Sequence, residues 1–445
     1  MKRLLIANRN EIAVRVIRAA REMGIEAVLA VSDADRETLA ARLADDVVVI
    51  GPPPATKSYL NRRALLDAAV RADVDAVHPG YGFLSEDATF ARSVLDAGLI
   101  WVGPDPESID LMGNKAAARE AARAAGVPVT RGSDGIVRSR QHLREVTEAL
   151  GYPVVIKASA GGGGRGIRIV RTAESLESEY QLATAEAGSA FGDPSVYVER
   201  FIERARHIEV QVLGDGVDVV HLYDRDCSLQ RRQQKIVEEA PATALPREVR
   251  KQMLASAVQL AKQCRYRGAG TVEFLFDPDT CEISFIEMNT RLQVEHPATE
   301  MITGLDLVRE QLRIAEGEKI GIDQSEIPMT GHAIEIRLNA EDPACSFLPS
   351  PGAIEAVHWP GGPGVRIDAG VRAGSTVSPY YDSLLAKLIV WHESRELAIE
   401  RARRALGELE IVGVETTAGF IRELLDRAEF RGFDHHTKFI EQDVL

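Results

Sequence analysis

The 445-residue chain has only four cysteines, Cys227, Cys264, Cys281 and Cys345, and no Cys-X-X-Cys pair. That spacing argues against a disulfide framework or a zinc site and predicts reduced, mostly structural thiols in a cytoplasmic protein. No apolar run approaches the roughly 20 residues that cross a bilayer. The start offers only Leu4-Leu5-Ile6-Ala7 after its basic residues, too little for a signal-peptide core, so a soluble, unexported protein is expected. Positive charge is also short. With 53 Lys+Arg against 67 Asp+Glu the net charge is −14, which repels polyanions and excludes the basic footprint of a nucleic-acid binder. The histidines His78, His207 and His296 never fall into a zinc spacing such as HExxH. There is no internal repeat and no low-complexity segment.

What is present is an ordinary globular composition, 45% hydrophobic and 27% charged, long enough for about three domains at roughly 150 residues each. Leu4 to Ala7 reads as a buried strand, and Ile12, Val16, Ala19, Ala20 and Met23 then share a helical face that Gly24 closes. The alternation continues through Ala27–Val31, Val47–Ile50, a helix around Leu65 to Ala72, Ala76–His78 and Ile100–Val102, which predicts an α/β parallel-sheet domain. An Ala-rich helix spans Asn114 to Ala125. Beyond it the pattern becomes α+β, with strands at Val154–Ile156 and Ile167–Val170. The Gly- and Pro-containing stretch 317–331 marks a second boundary. After it come strands at Ala333–Leu338 and Leu384–Trp391 and helices at about 395–408 and 417–428.

Gly161-Gly162-Gly163-Gly164-Arg165-Gly166 lies between two strands, where backbone N–H groups without Cβ shielding can wrap phosphate oxygens. It is no Rossmann fingerprint, because strand rather than helix follows, and no Walker A loop, because Ile167-Arg168 replaces Lys-Ser/Thr. A flexible hairpin tip is the other reading. Lys157 on the preceding strand favours phosphate.

The strands Thr271–Phe276 and Ile283–Asn289 form a hairpin centred near Thr280, which sets Glu273 opposite Glu287 with Asn289 on their side. Like charges directly opposed destabilise a sheet, so a divalent ion with hard oxygen ligands, Mg²⁺ or Mn²⁺, is expected there unless a different register splays them apart or an arginine pairs with them. Arg291, Gln293 and Glu295 continue the alternation and would project a guanidinium, an amide and a carboxylate beside that ion, suited to holding a small anion and moving its proton. Such a pattern is also what a solvated strand face shows. The run Gln230 to Lys235 is read as internal carboxylate pairing, and His207 as a satisfied polar residue.

Several longer strings occur together and in order: Ile6-Ala7-Asn8-Arg9, His78-Pro79-Gly80-Tyr81-Gly82-Phe83-Leu84-Ser85-Glu86, the glycine loop, Arg225-Asp226-Cys227-Ser228, and Glu287 through His296. On these the chain resembles biotin carboxylase, the ATP-grasp component of acyl-CoA carboxylases, from about residue 3 to about 440. The resemblance implies an N-terminal parallel-sheet domain over 1–114 and an ATP-grasp domain over 115–330 with a mobile glycine-rich lid at about 130–204. It implies a C-terminal mixed or antiparallel β domain over 331–445. The implied reaction uses ATP, Mg²⁺ or Mn²⁺ and bicarbonate to make carboxyphosphate, which delivers CO₂ to biotin on a carrier protein. That is the first half-reaction of an acyl-CoA carboxylase, acetyl-CoA carboxylase of fatty acid biosynthesis being the leading case.

By motif position, Lys115, Lys157 and His207 would contact ATP phosphates or ribose, and Glu199 to Ile202 the adenine edge. Gly162, Gly163, Gly164, Gly166, Gln230 and Gln233 would complete the nucleotide site. Glu273, Glu287 and Asn289 would surround the metals; Lys235, Arg291, Gln293 and Val294 match the bicarbonate pocket. Glu295 would deprotonate bicarbonate, Arg337 would stabilise the biotin enolate, and Tyr81 and Asp382 would lie near the biotin ring or its pocket. Three positions depart from the family pattern: Gln233 stands for a His or aromatic, Asn10 for a Gly, and Pro363 for an aromatic of the dimer surface. The biotin-attachment string Met-Lys-Met is absent from these residues, so a separate biotin carboxyl carrier protein and carboxyltransferase subunit are expected partners unless the chain is part of a longer polypeptide, with a homodimer and neither nucleic acid nor membrane. The alternatives are another ATP-grasp carboxylate-amine ligase and a non-catalytic nucleotide-binding subunit.

Overall fold

The computed structural model describes residues 1–159, 166–243 and 245–445. The first strand, Arg3–Ile6, is flanked by Glu26–Ser32 and Ala76–His78, and the sheet is completed by Asp46–Gly51 and Ile100–Trp101, all parallel. Leu4, Leu5 and Ile6 are fully buried because helices cover both faces. Burying each such side chain stabilises by about 1.5–3 kcal/mol. Strand order reverses between Arg3–Ile6 and Ala76–His78, and the loops leaving these two strands are tied together by Asn8. Its Nδ2 donates to the carbonyls of Pro79 (2.7 Å) and Tyr81 (2.6 Å). Gly80 sits at φ +63° with a Cβ position 2.8 Å from that Nδ2, so a side chain there would break the tie.

The segment expected to form the lid carries a three-stranded antiparallel sheet, Ile167–Val170, Val154–Ala158 and Val196–Arg200, packed by the helices Arg140–Leu150 and Leu176–Phe191. Gly166 is described and buried, its carbonyl accepting from the Ala158 N–H at 2.9 Å. Gly162, Gly163 and Gly164 lie outside the described residues.

Eight of the remaining strands form one sheet in the order Glu282–Asn289, Arg267–Asp277, Arg206–Asp215, Val219–Arg231, Gln234–Ala240, His332–Asn339, Leu384–His392 and Val365–Ala369, and the other six pair as three short two-stranded ribbons. The large sheet runs without a break from the central region into the C-terminal one, through the pairing of Gln234–Ala240 with His332–Asn339. Helices Lys115–Ala124 and Arg247–Gln263 contribute Ala118, Ala122, Met253 and Leu260 to the core beneath its first strands, and helices Arg395–Glu408 and Ala418–Asp426 cover its far end.

Two expectations change. Residues 290–295 are not a strand: they leave the sheet and turn into the helix His296–Thr303, which begins with Pro297 in its first turn and Glu295 at its N-cap. The four thiols are free, but only Cys227 is buried; Cys281 and Cys345 are exposed. No helix among the described residues is long and apolar enough to cross a membrane.

Candidate active site

The hairpin forms in the predicted register, Glu273 paired with Glu287 and Thr271 with Asn289. On its other side Glu273 pairs with Glu209, and Glu209 with Arg225, so a row of three carboxylates and one guanidinium crosses four adjacent strands. Such a row is stable only if cations are supplied from elsewhere. Lys235, on the strand Gln234–Ala240, reaches Glu209 at 2.6 Å, Glu273 at 3.2 Å and Glu295 at 2.6 Å. Burial works against its ammonium, but these carboxylates outweigh it and its pKa lies well above the usual lysine value. Arg225, fully buried, donates to Glu209 (2.6 Å), Gln211 (2.8 Å), Thr299 (2.8 Å) and Gln293 (2.8 Å).

Glu295 is buried between two cations, with Lys235 on one oxygen and Arg337 Nη2 at 3.0 Å on the other. Burial alone would raise its pKa; Lys235, Arg337 and Arg225 reverse this and hold the carboxyl ionised, well below the usual range. Arg337 also donates through Nε to Glu238 Oε1 at 2.7 Å. Burial pushes Glu238 up to about 7, against the pull of Arg337. Gln293 is fixed at both ends, its Oε1 accepting from Arg225 and its Nε2 donating to Glu273 at 2.8 Å. Arg291 is held by Glu86 Oε2 (3.0 Å) and Asn289 Oδ1 (3.0 Å).

Above this floor, His207 Nε2 lies 2.9 Å from Glu273 Oε2 and its Nδ1 meets Gln230 Nε2 at 2.8 Å. Burial lowers the imidazole pKa, and Glu273 more than compensates. Lys157 Nζ donates to Glu199 Oε2 at 2.6 Å, and Arg119 pairs with the same carboxylate. Lys115 heads the helix Lys115–Ala124, capped by Asn114, and its Nζ is 3.7 Å from Glu287. Gln233 occupies the tight turn between Val219–Arg231 and Gln234–Ala240, where Arg232 and Gln233 both take positive φ (50° and 65°).

One cleft of about 550 Å³ between the three-stranded sheet and the large sheet is lined by fifteen of the predicted site residues: Lys115, Lys157, Glu199, His207, Gln230, Gln233, Lys235, Glu273, Glu287, Asn289, Arg291, Gln293, Val294, Glu295 and Arg337. Arg291, Gln293 and Glu295 converge there although they share no strand, because the turn before the helix brings Glu295 back over the sheet. Ile202 does not line the cleft; it faces a neighbouring depression with Pro128, Arg200 and Ile283. Tyr81 is half-buried and its hydroxyl donates to Glu11. Asp382 is exposed, 3.8 Å from Arg9, on a separate groove.

Sequence reasoning passed over Arg119, Glu209, Glu238 and Arg225 as site residues. Glu209 had a signal: His207, Glu209 and Gln211 alternate with the apolar Ile208, Val210 and Val212, which marks one polar face on a buried sheet. The donor set Glu273, Glu287 and Asn289 is all oxygen-bearing, with carboxylates in excess of adjacent cations at Glu287, and fits a hard divalent ion.

The comparisons with known proteins agree in order and extent. Residues 1–109 match the family described as "Biotin carboxylase, N-terminal domain", 114–322 "Carbamoyl-phosphate synthase L chain, ATP binding domain", and 335–442 "Biotin carboxylase C-terminal domain". The biotin carboxylase of Nostoc sp. is 49% identical over 441 residues, covering 99% of this chain and 98% of that one. The crystal structure of the biotin carboxylase–beta-gamma-ATP complex from Campylobacter jejuni superposes with a TM-score of 0.93 at 43% identity, over 99% of this chain and 98% of that one. The Hydrogenobacter thermophilus 2-oxoglutarate carboxylase biotin carboxylase domain dimer, in complex with MgADP, ADP and bicarbonate, gives 0.91 at 46% identity, over 99% and 97%. With matches to all three segments and near-complete coverage of its relatives, the chain belongs to the biotin carboxylase family.

Proposed function

We propose that the chain uses ATP and bicarbonate to carboxylate biotin on a separate carrier protein, the first half-reaction of an acyl-CoA carboxylase. The observation that carries this reading is Glu295, an ionised, buried carboxylate held by Lys235 and Arg337 on the floor of the cleft that Lys115, Lys157 and His207 overhang. A small anion entering there competes for both cations. As Lys235 and Arg337 turn toward it, Glu295 loses the charges that hold its pKa down and becomes basic enough to take the bicarbonate proton.

Arg291, Gln293 and the Val294 backbone surround the place where that anion would sit, and Lys115, Lys157 and His207 would meet the nucleotide phosphates or ribose. A bicarbonate oxygen then attacks the γ-phosphorus, the bond to the β-phosphate oxygen breaks, and ADP leaves. Glu273, Glu287 and Asn289 would hold Mg²⁺, which when bound supplies positive charge to the phosphates. Carboxyphosphate splits into CO₂ and phosphate; as the ureido nitrogen of biotin bonds to CO₂, its proton passes to the phosphate. Arg337 would stabilise the enolate form of biotin, with Tyr81 and Asp382 toward the ring. The lid strands would close over the cleft, because an acyl phosphate lost to water ends the cycle.

A carboxyltransferase subunit would take up the carboxybiotin, with acetyl-CoA the leading acceptor. The Hydrogenobacter domain dimer supports a homodimer here. The test is ADP release by the purified chain with Mg²⁺-ATP, first in bicarbonate-depleted buffer, then with bicarbonate, then with bicarbonate and free biotin. Release that requires bicarbonate and rises further with biotin is expected; a rate that neither addition changes overturns the reading.

A further inference from the structure

Lys387 lies outside the cleft, in the strand Leu384–His392, and is fully buried. Its ammonium makes two contacts that join the three segments of the chain. It sits 3.2 Å from Glu11 Oε2, on the helix Asn10–Glu22 of the N-terminal sheet region. It also donates to the carbonyl of Val294 at 2.8 Å. Glu11 is buried as well, and Tyr81 donates to its other oxygen. On the sheet, Lys387 stands directly across from Arg337 on one side and Asp368 on the other.

A buried ammonium and carboxylate are costly to desolvate, and apolar replacements of such pairs are often neutral or stabilising. Stability alone therefore gives little reason for a charge at this position, whereas the Val294 contact gives a specific one. The Val294–Glu295 peptide is planar, so fixing its C=O also fixes the Glu295 N–H, which points the opposite way, and the Cα from which the Glu295 carboxylate extends. We propose that Lys387, seated on Glu11, is a positioning residue: by gripping the Val294 carbonyl it sets where bicarbonate meets the Glu295 carboxylate. The inference rests on the biotin carboxylase reading and deepens it. The grip also makes the bicarbonate subsite depend on the docking of the helix Asn10–Glu22 against the large sheet.

The test compares the wild type, Lys387→Met, and the double variant Lys387→Met/Glu11→Gln, which leaves no lone buried charge and keeps an acceptor for Tyr81. ADP release is measured without biotin at saturating Mg²⁺-ATP across a bicarbonate titration, alongside ATP binding and thermal melting. A misplacement of the reacting groups by about 1 Å costs on the order of 10²-fold in rate. The expected double variant melts at or above the wild-type temperature and binds ATP within about twofold, and its kcat/KM for bicarbonate is down on that order. Wild-type kcat/KM for bicarbonate in the double variant overturns the proposal, as does an equal loss for ATP and bicarbonate or a failure of the double variant to fold. A wild type without bicarbonate dependence would instead sink the functional reading itself, and this inference with it.

Discussion

Glu273 and Glu287 face each other across neighbouring antiparallel strands, yet their surroundings are opposite. Glu273 has Lys235, His207, Asn289 and Gln293 within 3.2 Å, and Lys235 and His207 hold its carboxyl far down against the effect of burial. Glu287 has Lys115 as its nearest cation at 3.7 Å; burial and the facing Glu273 push it up. The less compensated member of the pair is where we propose that a cation binds. Glu287→Gln should therefore raise the Mg²⁺ concentration for half-maximal activity by about tenfold or more, the loss of one hard anionic ligand. A Mg²⁺ titration at fixed ATP checks this, and an unchanged midpoint would remove Glu287 from the metal site.

Glu295→Gln keeps the size and the hydrogen-bonding reach of the side chain while removing its ability to accept a proton. Bicarbonate-dependent ADP release should fall by about 10²–10⁴-fold, the usual contribution of a positioned base. ATP binding should persist, because Lys115, Lys157 and His207 do not touch Glu295. Equilibrium binding of a fluorescent ATP analogue beside the turnover assay separates the two; a rate within tenfold of wild type is incompatible with Glu295 as the base.

Much of this site could be read along the chain, for identifiable reasons. The opposition of Glu273 and Glu287 follows from a short connection and a period of two, both local properties. Arg291, Gln293 and Glu295 converge as their alternation implies, but by another route: residues 290–295 are a turn rather than a strand, leading into the helix that His296-Pro297 signals in the sequence. Glu209 was recoverable from strand alternation. Arg225, Glu86 and the Glu11–Lys387 pair were not, since their partners lie 16 to 376 positions away and only the folded sheet order brings them together. Neither was the continuity of the large sheet across the region around residue 330, which depends on a pairing between strands about 100 residues apart.

Arg337 bridges Glu295 and Glu238, so it touches both the proposed base and a second buried carboxylate. Arg337→Gln should abolish the part of ADP release that biotin adds, by about 10²–10³-fold for loss of one oxyanion donor. Bicarbonate-dependent release without biotin should survive in part, since Lys235 still holds Glu295. Counting carboxybiotin formed per ADP released distinguishes this from a general loss: the ratio should drop, and a constant ratio would place Arg337 in the first step only.

Glu335 is fully buried across the strand pair from Glu238, and neither of its carboxyl oxygens has a hydrogen-bond partner among the described residues. Burial pushes its pKa well above the ordinary value near 4.5, opposed by Lys387 and reinforced by Glu238 and Glu295. The native protein therefore holds this proton more tightly than the unfolded chain does. Between pH 4.5 and the raised native value stability falls as pH rises, and Glu238, raised to about 7, adds to the same slope. Glu335→Gln keeps the size of the side chain and the neutral form that burial favours, so turnover should stay near the wild-type rate. Its melting temperature relative to wild type should climb as pH rises above about 4.5, because the variant lacks the carboxyl whose ionisation costs the wild type stability. Melting curves at four pH values decide it. A difference that does not vary with pH would mean that Glu335 is already ionised in the native protein, with Arg337 and Lys387 as its counter-charges.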